Sequence, residues 1–268
     1  MKDGIRITDE IAVIRHDSDR YMSQLHRHAQ AQLLYATEGV VAVTTESGTW
    51  VVPPNRAVWL PAGLAHVTAS HAGIRFRSLL IDSAGLARFL DRCRVVEVTP
   101  LLRELILKLV ALTETPGNRE VAEAVIRLLM LEMAFLPVQP LDLPTPKHPG
   151  LAALCARIRC DPARPHAIAA AAAELAMSRA TFMRLFQRET GLSFGRWCQQ
   201  ARMLHALPLL AEGRAILDVA LDCGYDSPSA FAAVFRRSLG RPPSVYFRAP
   251  QSENDAATRY MPPVLART

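Results

Sequence analysis

Two stretches of this chain, SRATFMRLFQRETG at 178–191 and SPSAFAAVFRRSLG at 227–240, carry one pattern twice, offset by 49 residues. Ser178, Phe182, Phe186, Arg188, Gly191 and, further on, Trp197 recur in register as Ser227, Phe231, Phe235, Arg237, Gly240 and Tyr246. Each shared residue has a physical role in a short helix. A serine ahead of the first turn caps it by accepting a backbone N–H. Phenylalanines four apart lie on one face and anchor it, each burial contributing about 1.5 to 3 kcal/mol. A glycine just past the end suits the left-handed conformation in which many helices stop. Both copies follow another helical stretch, 167–175 in one case and 215–222 in the other, across the tight connectors AM and GYD. Helices joined so closely make a helix-turn-helix, and the second of them is the usual reader of a DNA major groove. A generic helical bundle also repeats apolar residues at this spacing, but it does not supply cap, end glycine and arginine in register.

With the phenylalanines turned inward at about 100° per residue, the outward set is Ala180, Met183, Arg184 and Gln187 in the first copy. In the second it is Ser229, Ala232, Ala233 and Arg236. The faces are unequal. Arg184 can make a bidentate contact to guanine, whereas Ala232 and Ala233 offer only apolar contact, for example to a thymine methyl. Ser178, Arg179, Arg188, Ser227 and Arg237 complete the expected DNA contacts; Arg236 with Arg237 leans towards phosphate, which positions without specifying. A helix-like segment of about 18 residues, roughly 27 Å long, separates the copies and suits two reading helices about one DNA turn apart. Pro208 lies inside it and is expected to kink or split it. Charge agrees with a polyanion partner: residues 151–250 hold 13 arginines against 7 acidic residues and so account for the whole net charge of +6.

The region from about His148 to Phe247 resembles the DNA-binding domain of AraC/XylS-type transcription regulators, most closely in ALDCGYDSPSAFAAVFRRSLGRPPSVYF. The resemblance implies a seven-helix domain with two helix-turn-helix units, near 167–189 and 215–239, that binds adjacent major-groove segments and regulates promoters. Pro208, and Pro243 with Ser244, depart from the family's pattern.

Upstream, PVQPLDLPTPKHPG at 137–150 is too rich in proline for helix or central strand and reads as an extended linker between domains. Before it, QLLYAT, VVAVTT, TWVVPP, AVWLPA and IRFRSLLID, between residues 31 and 82, read as strands of a compact antiparallel sheet or barrel. Helical patterns follow around 84–93, 100–112 and 119–136. The last has an apolar stripe at Val121, Val125, Leu128, Leu129 and Met133, to be buried against the barrel or against a second copy of the chain. The expected class is α+β: an antiparallel N-terminal β-barrel with trailing helices at 1–136, the linker, an all-α DNA-binding domain at 151–250, and a tail at 251–268.

HRHAQAQLLYATEG supplies His26, His28, Gln32 and Gly39, and PAGLAH supplies Pro61, Gly63 and His66. Histidines two apart on a strand share a face, and a third from a neighbouring strand completes a set that suits zinc, nickel or ferrous iron. The pattern is similar to the two cupin motifs, HxH(x3)E(x6)G and PxGxxH, with Gln32 at the glutamate position and Ser70 where an asparagine often falls. Three readings stand side by side: metal ligands, polar lining of a metal-free effector pocket, and structural histidines. AraC-type regulators often carry such a barrel as the effector-binding half, which implies a pocket without requiring a metal. Arg56 and Trp59 read as rim packing ahead of ligand contact, and Asp17, Ser18 and Asp19 as a turn.

There is no GxSxG, no phosphate-cradling glycine loop and no GxGxxG after a strand, so no enzyme class is favoured. Five cysteines without a CxxC pair suit free thiols in a reducing compartment, with Cys155 and Cys160 in the core. No apolar run is long enough for a membrane span, and a cytoplasmic protein is expected. The reading is a sequence-specific DNA-binding regulator, not an enzyme, whose barrel senses a small molecule or metal ion. A homodimer is expected, with double-stranded DNA as partner and RNA polymerase as a candidate one. The rival is a metal-dependent cupin enzyme with an accessory helical domain; Gln32 in place of a carboxylate ligand argues against it.

Overall fold

The computed structural model describes residues 5–8, 11–54, 56–70, 73–82, 91–114, 119–133, 138–139 and 141–247. The first part is all antiparallel strand: β1 (Ile5–Arg6), β2 (Ile11–Ser18), β3 (Tyr21–Met22), β4 (Ala31–Glu38), β5 (Val41–Thr45), β6 (Gly48–Val52), β7 (Arg56–Leu60), β8 (His66–Ser70), β9 (Ile74–Ile81) and β10 (Arg94–Glu97). Helices α1 (Pro100–Leu112) and α2 (Arg119–Met133) follow, then two short strands, β11 (Val138–Gln139) and β12 (Asp142–Pro144). Six helices make up the rest: α3 (Pro149–Cys160), α4 (Ile168–Glu174), α5 (Arg179–Thr190), α6 (Phe194–Ala211), α7 (Ile216–Asp222) and α8 (Pro228–Leu239), closed by a 3-10 turn at Pro243–Val245.

The strands form two sheets, a seven-stranded one in the order β1-β2-β9-β4-β7-β10-β11 and a five-stranded one in the order β12-β6-β5-β8-β3. Their ladders do not join into one closed ring among the described residues. The centre of the larger sheet is covered on both faces, which explains why β4 and β7 read as continuous apolar runs rather than alternating ones. Leu34, Val58 and Leu60 turn inward with Val43 and Trp50. Leu33, Ala57, Trp59 and Leu79 turn outward, beneath Leu102, Ile106 and Leu109 of α1 and Ile126, Leu129 and Met133 of α2. Thr99 joins the two helices, accepting from the Leu102 N–H at 3.1 Å to cap α1 and donating to Glu132 of α2 at 2.7 Å.

Several sequence expectations change. The buried face of α2 is Ala122, Ile126, Leu129 and Met133, while Leu128 and Leu131 stay 44% and 56% exposed. The stripe read from Val121 to Met133 therefore merges two faces, one against the sheet and one open. Asp17 and Ser18 end strand β2, so that of the expected turn only Asp19 lies in the bend before β3, and the Asp17 carboxylate meets Arg77 at 2.6 Å. That ion pair holds the Asp17 carboxyl below the ordinary carboxylate range. Cys160 is exposed rather than in the core, unlike Cys155. Pro208 sits in the last turn of α6, which runs through it to Ala211 instead of splitting. The helix expected at 84–93 and the tail at 251–268 lie largely or wholly outside the described residues. Within 137–150, β11 and β12 each take an outer edge of a sheet, the position in which proline is tolerated.

Candidate DNA-reading face and histidine cluster

The doubled pattern folds twice in the same way. Ser178 accepts from the Thr181 N–H at 3.1 Å and Ser227 from the Ala230 N–H at 3.2 Å, starting α5 and α8. Gly191 and Gly240 end them in the left-handed region at φ 74° and 81°. Phe182, Phe186, Phe231 and Phe235 are fully buried. The rings of Phe182 and Phe186 pack on Phe194, and Phe186 meets Trp197 of α6 edge to face. Phe235 packs in the same manner on Tyr246. Each second helix is thus pinned by its anchors against α6 or the closing turn, with the opposite face left outside.

On that outer face Ser178, Arg179, Ala180, Met183, Arg184, Gln187 and Arg188 are all exposed. On α8, Ser229, Ala233, Arg236 and Arg237 are exposed, and Ser227 and Ala232 are half-buried. Other arginines of this half are engaged: Arg157 with Glu174, Arg214 with Asp222 at 2.7 Å, and Arg202 with the Pro162 carbonyl and the face of Tyr225. The side chains of Arg179, Arg184, Arg188 and Arg236 make no hydrogen bond or ion pair within the described residues and are available to an outside anion. The arrangement matches what a major-groove reader requires: a rigid helix, a partner-free fork of donors, and a scaffold that fixes both.

The second cluster is in the barrel. His26, His28 and His66 bring one ring nitrogen each within 4.8 Å of one another. His66 is buried on β8, and His26 forms an isolated bridge with it, the two exchanging backbone hydrogen bonds at 3.1 and 2.8 Å. Nδ1 of His26 lies 2.7 Å from the Gln24 carbonyl and Nδ1 of His66 2.9 Å from the Leu64 carbonyl. A carbonyl only accepts, so both Nδ1 atoms donate, and on the neutral His66 ring this leaves Nε2 with a lone pair. Nε2 of His28 and of His66 are buried with no partner. Burial and the neighbouring imidazoles push His28 down to about 4, and burial lowers His66, so both rings are neutral at pH 7. Gln32 is buried on β4, donating from Nε2 to Ser78 at 2.7 Å while its Oε1 has no partner. Arg56 and Trp59 are buried, Arg56 beside Glu97 at 3.8 Å.

A two-sheet β half followed by two tandem helix-turn-helix units defines the layout of a DNA-binding transcription regulator. Comparison with known proteins agrees: residues 8–130 match the AraC-like ligand binding domain and residues 171–249 a helix-turn-helix domain. The chain is 34% identical over 233 residues to the HTH-type transcriptional regulator NimR of Escherichia coli K12, covering 87% of this chain and 85% of that protein. An uncharacterized HTH-type transcriptional regulator of Haemophilus influenzae is 42% identical over 76 residues, 28% of this chain and 26% of that protein. The solved structure of ToxT from Vibrio cholerae aligns over 90% of this chain and 98% of that one, at 12% identity and a TM-score of 0.38. The chain belongs to the AraC family of transcriptional regulators. Among the described residues no helix is long and apolar enough to cross a membrane.

Proposed function

We propose that α5 reads base edges through Arg184 while α8 chiefly grips the backbone through Arg236 and Arg237, in a cytoplasmic homodimer that acts at promoters with RNA polymerase as a partner. The observation that carries this is the contrast between the partner-free Arg184 on exposed α5 and the alanines Ala232 and Ala233 that α8 offers in the corresponding region. The dimer is supported by α2, where Leu128 and Leu131, with Ala124 one turn before them, leave an apolar strip open along the helix. Regulation rather than catalysis is favoured by Gln32. Its neutral amide is engaged with Ser78 where an oxygen-activating centre would use a carboxylate.

The input we assign to the histidine cluster is a divalent ion of the zinc, nickel or ferrous type. Three clustered imidazoles, two of them with Nδ1 tied to a carbonyl and two with a buried Nε2 that has no partner, are what such an ion uses. Nitrogens within 4.8 Å need draw in only modestly to meet a centre with bonds of about 2.0–2.1 Å. Tag-free protein is expected to take up one equivalent of zinc, and His66→Ala to lose it; uptake unaffected by that change leaves the cluster as the lining of a metal-free effector pocket.

Arg184→Ala tests the reading of DNA. Binding to a duplex selected by the protein from random sequence is expected to weaken about 5- to 150-fold, the range of one bidentate base contact, with little change on unselected DNA. Equal losses on both at fixed salt would remove Arg184 as the base reader.

A further inference from the structure

The His66 position continues, one residue at a time, across four strands of the five-stranded sheet. His66 on β8 pairs with Thr45 on β5, Thr45 pairs with Gly48 on β6, and Gly48 pairs with Pro144 on β12. At Pro144 the row leaves the sheet, because its carbonyl accepts from Trp197 Nε1 of α6 at 2.9 Å. Trp197 in turn lies edge to face on Phe186, an anchor of α5. One lateral line thus joins the histidine cluster to the seat of the proposed base-reading helix.

We propose that β12 is the coupling strap of this regulator: a three-residue edge strand held by the barrel on one side and by α6 on the other, whose docking on β6 sets how firmly the DNA-reading half is held. This rests on the reading of α5 and α8 as the DNA contacts. Three features make the strap a two-state element. It is short and at an edge, so few ladder bonds hold it: the Asp142–Pro144 pairing is flanked only by Val51 N–H to Leu141 O and Thr145 N–H to Ser47 O, each at 3.0 Å. Its free carbonyls are committed to α6, with Asp142 accepting from Gln200 Nε2 as Pro144 does from Trp197. Its approach to β6 is possible only because residue 48 lacks a side chain, since a Cβ there would lie 2.8 Å from the Leu143 carbonyl oxygen. A methyl group is therefore enough to lift the strap from the barrel end, and loss of one N–H is enough to loosen it from the helix end.

The experiment is a double-mutant cycle read as DNA affinity of the full chain. Gly48→Ala acts in the barrel and Trp197→Phe in the helical half, the latter keeping a ring against Phe186 while deleting the donor. Each is expected to shift affinity for the selected duplex at least about 5-fold in the same direction, and the double variant to match the larger single effect, because both release one strap. Ordinary helical circular dichroism in Trp197→Phe keeps the test informative if Gly48→Ala folds poorly; that variant alone must still show the shift. Affinities within twofold of wild type, or effects that multiply as independent sites, overturn the proposal. Wild-type protein that binds the duplex and still responds to Arg184→Ala in that case loses only the strap, whereas wild-type protein that fails to bind DNA at all removes the reading beneath it.

Discussion

Arg184 and Arg236 are not equivalents: in the 49-residue register Arg184 aligns with Ala233 and Arg236 with Gln187. Beyond the matched pair Arg188 and Arg237, the two units therefore place these further donor forks about one turn apart along otherwise matching helices, and the removal of each should read out differently. Arg236→Ala is expected to weaken selected and unselected duplexes alike and to reduce the slope of log affinity against log salt by about one, as for a single phosphate contact. A selective loss confined to the chosen duplex would make Arg236 a base reader too. The outward-facing residues of α5 and α8 were legible in the sequence because a helix leaves little freedom once its anchors are named: four buried phenylalanines fix the rotation and the remaining positions follow. The thiols were less so. Cys155 and Cys160 are five apart on α3, and no periodic signal told that the first turns into the core and the second away from it. Burial drives Cys155, Cys198 and Cys223 up to about 12, 11 and 12, so none of them offers a thiolate at neutral pH.

Between the paired helices of each unit the chain must reverse, and the two turns solve this with different residues. The second uses Gly224 at φ 74°, with an added Cβ 2.5 Å from the Ala163 carbonyl oxygen. The first uses Ala176 at φ 52°, the one non-glycine residue with positive φ among those described. A left-handed alanine costs about 1–2 kcal/mol, and replacing it by glycine returns roughly 0.4–1 kcal/mol of that as unfolded-chain entropy. Ala176→Gly is therefore expected to leave the melting temperature unchanged or raise it slightly. Gly224→Ala meets both strain and collision and is expected to lose 2 kcal/mol or more, seen as a fall in midpoint in urea. A neutral Gly224→Ala would show that this turn can move away from Ala163. At this scale the helices of the second half were readable to within a few residues, as were five central strands. The shortest elements were not: β10, β11 and β12 have two to four residues each, too few for any period, and their pairing is decided by what happens to lie beside them. The α2 stripe misled for another reason. Both its faces are apolar, and periodicity cannot tell the face that meets a sheet from the face that stays open.

The proline-rich segment at 137–150 suggests two independent bodies on a tether, yet the buried residues run without a break from one half to the other. Val43, Trp50, Val58 and Phe76 of the barrel connect through Leu141 and Leu143 to Leu151, Trp197 and Phe231. Arg159 of α3 adds a hydrogen bond to Thr49 of β6 at 2.6 Å. Leu141 and Leu143 are each fully or almost fully buried, so each contributes about 1.5–3 kcal/mol, a large share of the 5–15 kcal/mol that holds a typical domain together. If that core is shared in energy as well as in space, the barrel and the helical half should unfold in one transition. Two probes separate them: in Trp197→Phe the remaining tryptophans, Trp50 and Trp59, report only the barrel, while helical circular dichroism reports chiefly the other half. The expected result in Trp197→Phe is coincident urea curves. Leu143→Ala in the same background should cost about 2–5 kcal/mol and pull the curves apart, because it hollows the bridge while leaving each half its own core. Curves already separate before Leu143 is touched would mean that the halves share a surface but not their stability, and a strap between such halves could pass no more free energy than its own few hydrogen bonds hold.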